Sequence, residues 1–395
     1  MLMKKLLNTR IRDIVIVAVM LFACLPVVPV SIFNDGAIRV WATRISYVVI
    51  MIYSIMNIRH VPVSTVCSVV YGIILLISTL ANHTDMMEAF AVIYPLVGIT
   101  LLMECGISTI KADFIILFQR VLFYEVLLTL VLFPASDELF GEGVFLIGGE
   151  NRIIFPTMTA FTMTVVRFAL NRCSKSYVMC AFVICSLLTV LNFSGGSVIG
   201  WSCYAILIIA LIKFKQLSNS ISILKAYIAY VLLWVGLVFF RIQTFFSYLI
   251  ENILGKSLTL THRTDIWDLV IRNLENHYLL GHGLQETGNL FTISGQYKSG
   301  QNYTLTLSSH NFILQTIYTG GLLSLVPLAV CIAISSLRLR RVENRVLKAA
   351  LVSWVVGISI VMLVEAVGVV HLLFPISVIN GLFVWLNASS REGQL

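Results

Sequence analysis

Residues 261–284 have the sequence THRTDIWDLVIRNLENHYLLGHGL and belong to 248–321, the only long polar segment in an otherwise apolar chain of 395 residues. The segment returns to apolar sequence through SSHNFILQTIYTGGLLSL at 308–325. It contains four of the seven histidines, at positions 262, 277, 282 and 310. One polar segment between apolar runs predicts a membrane protein whose chemistry is concentrated in a single large loop.

The composition on both sides of this segment is that of an integral membrane protein. Hydrophobic residues make up 58% of the chain and charged residues 12%, against roughly 25% charged residues in soluble domains. The mean hydropathy is +0.94. Because about 20 apolar residues cross a ~30 Å hydrocarbon layer as a helix, the chain contains twelve candidate spans. They lie at 13–33, 40–58, 62–81, 88–106, 112–134, 153–171, 177–193, 197–213, 224–247, 310–336, 347–369 and 371–388.

These spans predict an all-α membrane protein of about twelve transmembrane helices, without internal repeats or a soluble domain. The chain is interpreted as one polytopic domain, 1–395, with nine spans in 1–247 and three in 310–395. Between them, 248–309 is predicted to be a partly helical loop. A connection of this length is usually functional or disordered, and helical periodicity within it favours function.

The distribution of basic residues predicts the orientation, because Lys and Arg are enriched in cytoplasmic loops. With the N-terminus inside, inner segments contain seventeen of the 27 basic residues and outer segments about seven. Both termini are therefore expected in the cytoplasm and the long loop outside. The net charge of +8 arises mainly from these inner loops, so orientation explains it and nucleic acid is not an expected partner.

The long loop begins with a predicted amphipathic helix. Apolar residues from Ile266 to Leu274 recur at helical spacing, which gives one apolar stripe. At ~100° per residue, Arg263 lies within about 40° of Trp267 and Leu274 on that stripe. A charge on the buried side of a helix needs a partner. A phosphate and a carboxylate are both candidates, and the helix N-terminus would assist a diphosphate.

Other polar residues near the predicted outer boundary are candidates for the same chemistry. His310 lies at the mouth of a span, and histidine is the side chain best suited to proton transfer near neutral pH. Arg152 follows two glycines at the outer end of another span. Arg241 and Glu365 lie in the outer halves of their spans, where they either line a site or pair helices. The histidines show no metal-binding spacing, so no metal is expected.

Three motifs in the last third of the chain resemble a known family. Arg-Thr-Asp-Ile-Trp at 263–267 is followed by LLGHGL at 279–284, and then by His310-Asn311 and an apolar helix with Thr-Gly-Gly at 319–321. This order, in a protein of about twelve spans, is similar to the O-antigen polymerase and ligase superfamily, which includes Wzy-like polymerases and WaaL-like ligases. The rest of the chain resembles the family only in topology.

The resemblance implies a glycosyltransferase that uses undecaprenyl-diphosphate-linked glycans at the outer face of the bacterial cytoplasmic membrane, without metal, nucleotide or other cofactor. It implies that Arg263 holds the donor diphosphate and that His310 orients or deprotonates the acceptor hydroxyl. Arg152, Arg241, Trp267 and Asn311 are the further candidates for substrate binding. A flippase and a chain-length regulator are possible protein partners.

The chain departs from the family pattern in two places. His262 replaces a frequent glycine, and Ser194-Gly195-Gly196 replaces a frequent Ser-Arg-Gly. The second departure removes a basic residue, whose place Arg152 or Arg241 would have to fill.

Three functions are compatible with these observations. A polymerase would transfer glycan to another lipid-linked repeat unit, and a ligase would transfer it to lipid A core or another acceptor. The departures from the family pattern favour the polymerase. A transporter is less favoured, because transporters tend to show internal repeats and interrupted midplane helices and the sequence indicates neither.

Overall fold

The computed structural model describes residues 2–33, 36–58, 60–192, 194–246, 248, 263–285, 291–296, 302–365 and 367–392. Residues 249–262, which include His262, lie outside these ranges. Sixteen α-helices are present in the described part. They are α1 (Leu2–Ala23), α2 (Gly36–Asn57), α3 (Val63–Ala81), α4 (Met86–Ile110), α5 (Ala112–Leu132), α6 (Ser136–Phe140), α7 (Ile154–Ala169), α8 (Lys175–Asn192), α9 (Gly195–Lys213), α10 (Lys215–Ser220), α11 (Ile223–Val238), α12 (Arg263–Asn273), α13 (Phe312–Gly320), α14 (Leu325–Arg340), α15 (Arg345–Met362) and α16 (Val370–Glu392).

The all-α membrane architecture predicted from the sequence is confirmed. Within the described ranges, nine helices are long and apolar enough to cross a membrane, and α7 and α11 are shorter apolar helices. With α1 these helices account for the twelve predicted spans. Most boundaries agree closely, because a helix satisfies its own backbone groups and is therefore favoured wherever the sequence is apolar for the thickness of a bilayer.

Four predicted spans differ from the observed helices, and in the eleventh, 347–369, α15 ends at Met362. In the first, 13–33, the helix ends at Ala23, and residues 24–30 continue without a helix although most of their side chains are buried. In the ninth, 224–247, α11 ends at Val238 and a 3₁₀ helix follows at Ile242–Phe246. In the tenth, 310–336, the helix is interrupted after Gly320. Non-helical backbone at membrane depth is tolerated where protein covers it.

The interrupted tenth span places α13 at one end of the bundle. This end, called the site end here, is where α3, α11 and α15 finish. The first turn of α13 contacts the end of α15, where the Asn311 amide donates to the Leu363 carbonyl at 2.9 Å. The last turn contacts the end of α3, where the Ser78 hydroxyl donates to the Thr319 carbonyl at 2.9 Å. The buried helix α13 therefore lies across the site end, and the membrane crossing begins at residue 322.

Two glycines permit the turn between α13 and α14. Gly321 has φ +66° and ψ −177°, a conformation open essentially only to glycine. A Cβ atom there would lie 2.0 Å from the Leu279 carbonyl oxygen. The loop that contains Gly281 packs against this turn, and the His282 N–H donates to the Tyr318 carbonyl at 2.7 Å. Gly321 is therefore required for loop packing as well as for the break in the helix.

The opposite end of the bundle is held by buried polar contacts. The Glu104 carboxylate of α4 accepts the Ser64 and Thr65 N–H groups at 3.1 Å each, which caps the N-terminus of α3. The Asn380 amide donates to the Ser64 and Ser335 hydroxyls at 2.8 and 2.9 Å. These bonds join α3, α4, α14 and α16, so the scaffold that carries the site end is rigidly connected at its base.

Burial separates central from peripheral helices. Of the 18-residue segment of α15 that could cross the membrane, 72% is buried inside the protein, against 28% for α2. α15 packs against α7 and α9, and α16 packs against α4. The described strands form two small hairpins, β1 (Val144–Phe145) with β2 (Gly148–Gly149) and β3 (Phe291–Gln296) with β4 (Asn302–Leu307). The second hairpin belongs to the long loop, which is thus partly helical as predicted and partly strand, which was not predicted.

Candidate active site

The helix predicted at the start of the long loop is α12, and it buries the predicted stripe. Trp267, Val270 and Leu274 are 0–2% exposed, whereas Arg272 and Glu275 on the other face are exposed. Arg263 is the first residue of the helix, with a side chain that is 21% exposed. The arginine is therefore turned toward the bundle, as the periodicity predicted.

Glu365 is the partner of Arg263. The Arg263 Nη2 donates to the Glu365 Oε1 at 2.8 Å, and the glutamate side chain is 13% exposed. The sequence left a phosphate and a carboxylate as candidate partners of Arg263, and in the structure its partner is a carboxylate. Glu365 follows the end of α15, so the ion pair also attaches the long loop to the bundle.

Glu365 also faces His310, which brings the two proposed catalytic residues to one carboxylate. The His310 Nδ1 lies 3.8 Å from the Glu365 Oε2, too far for a hydrogen bond, and the His310 side chain is 39% exposed. One oxygen of the carboxylate thus faces the arginine and the other faces the imidazole. The sequence identified Glu365 as notable but did not include it in the site, because the motif spacing contains no information about this contact.

The backbone at His310 is in the left-handed region, with φ +46°, which is uncommon for a residue other than glycine. Neighbouring hydrogen bonds hold it there. The Ser309 hydroxyl donates to the Asn311 carbonyl at 2.7 Å and accepts the Asn311 N–H at 3.3 Å. Strained backbone retained by its surroundings is a feature of functional sites, and here it directs the imidazole toward Glu365.

Asn311 and Trp267 form contacts that position His310. The Asn311 carboxamide oxygen accepts the Leu314 N–H at 3.0 Å, capping α13, and accepts the Trp234 indole N–H at 2.8 Å. The Trp267 indole N–H donates to the Ser309 carbonyl at 2.9 Å. Both residues, predicted to bind substrate, are at most 1% exposed, and the described protein uses these polar atoms internally. These contacts hold the backbone on both sides of His310, and the predicted role of Asn311 and Trp267 in substrate binding stays a prediction.

Arg241 lies at the other side of α12. Its guanidinium forms an ion pair with Asp268, donates to the Thr264 carbonyl at 3.2 Å and covers the Trp267 ring at 5.7 Å. These contacts attach the segment after α11 to α12, and the predicted role of Arg241 in substrate binding stays a prediction. Its second terminal nitrogen, Nη1, is buried without a hydrogen-bond partner among the described residues.

The turn that departs from the family pattern lies beside the site. A Cβ atom at Gly196 would be 3.6 Å from Val364, the neighbour of Glu365, and nothing lies within 4 Å of one at Gly195. The Ser194 hydroxyl donates to the Asn151 side chain at 2.8 Å. The loop that contains Arg152 is thus bonded to the turn that lacks a basic residue.

Arg152 itself lines a cavity of about 320 Å³ that also includes Arg39 and His371. Its contacts in the described structure do not include Arg263 or His310. The site end therefore contains two groups of cationic residues, one at Glu365 and one in this cavity. Gly368 lines the cavity, three residues after Glu365, so a short connection joins the two groups.

Two other histidines of the long loop, His277 and His282, form a stack against α13. The His282 ring lies 4.2 Å from that of His277 and 4.6 Å from that of Tyr318. Its Nε2 is 2.7 Å from the Asn273 carbonyl oxygen. Burial lowers the pKa of His282, the Asn273 carbonyl opposes the decrease and His277 adds to it. A neutral imidazole packed in this way is structural.

Comparison with known proteins supports the family resemblance. Residues 180–329 match a family model described as O-antigen ligase, a range that includes α12, the long loop, His310 and α13. No curated protein and no solved structure shows a significant match. Members of the matched family are glycosyltransferase-like enzymes. With its apolar helices the chain is a multi-pass membrane protein, and over residues 180–329 it is similar to the O-antigen ligase family.

Proposed function

We propose that the protein polymerises lipid-linked oligosaccharide repeat units of a bacterial surface polysaccharide, at the outer face of the cytoplasmic membrane. The observation that carries this proposal is the contact of Arg263 and His310 with the same carboxylate, that of Glu365. A cation for a diphosphate and a base for a hydroxyl are the two groups that glycan transfer from a lipid diphosphate requires, and they meet at the site end.

Arg263 is suited to binding the donor diphosphate. A guanidinium presents several N–H donors in a planar arrangement that matches phosphate oxygens. Without substrate, Glu365 neutralises this charge, which avoids the cost of an unpaired buried cation. The diphosphate of an undecaprenyl-linked glycan would share or replace that contact. As the bond to the sugar breaks, the guanidinium stabilises the negative charge that develops on the leaving group.

His310 is suited to accepting the proton of the attacking hydroxyl. The Nδ1 of His310 faces the Glu365 carboxylate at 3.8 Å, and Nε2, on the other side of the ring, is the atom that would accept the proton. The acceptor oxygen forms a bond to the anomeric carbon, and the carbon–oxygen bond to the diphosphate breaks with its electron pair on the diphosphate. The acceptor proton moves to His310. Direct displacement inverts the anomeric centre, and the diphosphate leaving group supplies the driving force.

The orientation inferred from basic residues supports the same location. A polymerase at the outer face needs a flippase that delivers lipid-linked units, and a chain-length regulator is a further partner compatible with the function. Both termini would lie in the cytoplasm. The acceptor distinguishes this function from ligation, in which a finished polymer is transferred to lipid A core or another terminal acceptor.

Reconstituted protein tests the proposal directly. Supplied with a lipid-linked repeat unit in nanodiscs without an ion gradient, the wild type should form a ladder of longer lipid-linked chains. Arg263→Ala and His310→Ala should abolish the ladder while the purified proteins remain folded. Arg263→Lys should restore only part of it, because an ammonium group cannot contact two phosphate oxygens in the same geometry. Arg272→Ala is the matched control, since Arg272 is exposed on the same helix.

Two results would contradict the proposal. A normal ladder from His310→Ala would remove histidine from the mechanism. A deletion strain that accumulates full-length, unattached lipid-linked polymer would indicate a ligase, whereas accumulation of single lipid-linked repeats is expected for a polymerase.

A further inference from the structure

An apolar groove lies at the end of the bundle opposite to the site end. It has a volume of about 280 Å³ and is formed by α7, α8, α9 and the first turn of α15. Its floor is buried, since Phe161, Val165 and Ile208 are 3–4% exposed, whereas Met179 and Ile209 at its rim are 54% and 48% exposed. Because α8 and α9 are membrane spans with most of their residues unburied, the groove faces lipid.

One polar residue completes the lining of the groove. Ten of the eleven lining residues are apolar, and the other is Lys175, the first residue of α8. A lysine lays its aliphatic stem along apolar surface and extends its ammonium group to the membrane boundary. The groove is thus apolar along its length with a cation at one end, which is complementary to an amphiphile with an anionic head.

Further cations border the same end of the groove. Lys213 is the last residue of α9 and Arg345 is the first residue of α15, and each is next to a residue that lines the groove. The Asn344 amide donates to the Ala169 carbonyl at 2.8 Å, which holds the start of α15 against the end of α7. The N-termini of α8 and α15, the positive ends of their helix dipoles, therefore lie at this end of the groove.

A buried cation adds to this charge. Arg167, in the last turn of α7, is 7% exposed and precedes the lining residue Phe168. Its guanidinium donates to the Gln119 carboxamide oxygen and to the Arg172 carbonyl, and it covers the Tyr177 ring at 5.5 Å. None of these groups carries a negative charge, and Nε is buried without a hydrogen-bond partner among the described residues. The described part of the chain therefore leaves this charge without a counterion.

Acidic residues do not balance the cations near the groove. The three chain segments that border it contain eight basic residues and one acidic residue, Glu343, which is exposed. These segments are 167–178, 209–216 and 341–348. None of the ion pairs between described residues includes Lys175, Lys213 or Arg345. The positive charge at this end is therefore available to an anion from outside the protein.

A second groove at the same end of the bundle provides a comparison. It has a volume of about 450 Å³, lies between α1, α2, α4 and α5, and also contains one cation, Arg12. The Arg12 guanidinium lies 3.1 Å from the Asp13 carboxylate and 3.7 Å from that of Asp113. Two carboxylates beside one guanidinium leave no positive excess. An apolar chain fits either groove, but only the groove at Lys175 is complementary to an anionic head.

We infer that the groove between α7, α8 and α9 binds an anionic phospholipid, with an acyl chain along Phe161 and Ile208 and the phosphate at Lys175 and Arg345. The distribution of basic residues predicts that this end faces the cytoplasm, and basic pockets between helices on that side suit anionic head groups. The lipid joins the peripheral helix α8 to α7 and α9, and it stabilises the fold because it binds the folded state. The inference is independent of the proposed function, since no lining residue of this groove belongs to the site end.

Thermal unfolding of the full-length protein in detergent, titrated with lipid, tests the inference. Phosphatidylglycerol should raise the Tm of the wild type more than phosphatidylcholine with the same acyl chains. Lys175→Gln/Arg345→Gln should weaken the binding of phosphatidylglycerol about 25-fold, at roughly fivefold per cation removed, and should leave the effect of phosphatidylcholine unchanged. Lys175→Arg should retain the preference. Arg12→Gln is the matched control, because it removes the cation of the other groove.

Several results would overturn the inference. Equal stabilisation by phosphatidylcholine would show an apolar groove without head-group recognition, and equal stabilisation by glycerol phosphate would show a site for a soluble phosphate. An unchanged preference in Lys175→Gln/Arg345→Gln, or its loss in Arg12→Gln, would also contradict it. If the double variant does not fold, Lys175→Gln alone changes only an exposed side chain and should still weaken binding about fivefold. Arg263→Gln, which bears on the proposed function, should keep the preference for phosphatidylglycerol.

Discussion

Replacement of Glu365 by glutamine tests whether the carboxylate, rather than the position of the side chain, supports catalysis. The glutamine side chain keeps the shape and can still accept a hydrogen bond from Arg263, but it removes the negative charge beside His310. At the observed 3.8 Å, attraction between a carboxylate and a protonated imidazole is ~4 kcal/mol at an effective dielectric constant of ~20. Because the His310 side chain is 39% exposed, solvent screening reduces this toward the ~1 kcal/mol of exposed pairs.

An effect of ~1–2 kcal/mol corresponds to a fall in kcat of about 5- to 30-fold. The KM for the lipid-linked donor should stay the same or decrease, because Arg263 loses the carboxylate that competes with the diphosphate. Steady-state rates of chain extension in nanodiscs measure both constants. Glu275→Gln is the matched control, since it makes the same chemical change at an exposed position just after α12.

An unchanged kcat in Glu365→Gln would refute the reasoning, provided that thermal unfolding shows the variant to be folded. A raised KM with unchanged kcat would also contradict it, because Glu365 would then bind substrate in place of supporting the base.

Two further predictions concern the loop that packs on α13. Gly321→Ala should prevent stable folding, because the added Cβ meets the Leu279 carbonyl at 2.0 Å. Loss of the monodisperse peak in size-exclusion chromatography would show it. The control is Gly36→Ala, which is also at positive φ but has nothing within 4 Å and should lower the free energy of unfolding by only ~1–2 kcal/mol. The lowered pKa of His282 means that the folded protein favours the neutral ring, so stability should be lost as the pH falls below about 6.5. His282→Phe, which keeps the stack on Tyr318, should show a smaller decrease in Tm between about pH 7.5 and about pH 5.5; an equal decrease would contradict the assignment.

The membrane spans could be predicted because their physical cause is local. A run of about 20 apolar residues is sufficient for a helix in lipid, whatever its neighbours are. The break after Gly320 could not be predicted, since the chain there is apolar on both sides. It depends on the approach of the loop around Leu279 to Gly321, a contact between segments that are distant in sequence.

The amphipathic helix at the start of the long loop also has features that the local sequence predicts and features that depend on distant contacts. Its period alone placed Arg263 on the face of Trp267, and burial of Trp267 in the structure agrees. The resemblance to the family connected Arg263 with His310 through motifs. Neither source indicated that Trp267 and Asn311 would be buried, because burial of a polar atom depends on the partners that the folded chain supplies.

The sequence by itself therefore determined the class of fold, the positions of most apolar helices and the direction in which Arg263 faces. Each of these follows from composition, periodicity or short motifs, which act over one helix or less. The tertiary structure alone decided that Arg263 pairs with Glu365, 102 residues away, and that His310 faces the same carboxylate. An ion pair of this kind depends on where two helix ends meet in space, and local sequence does not contain that information.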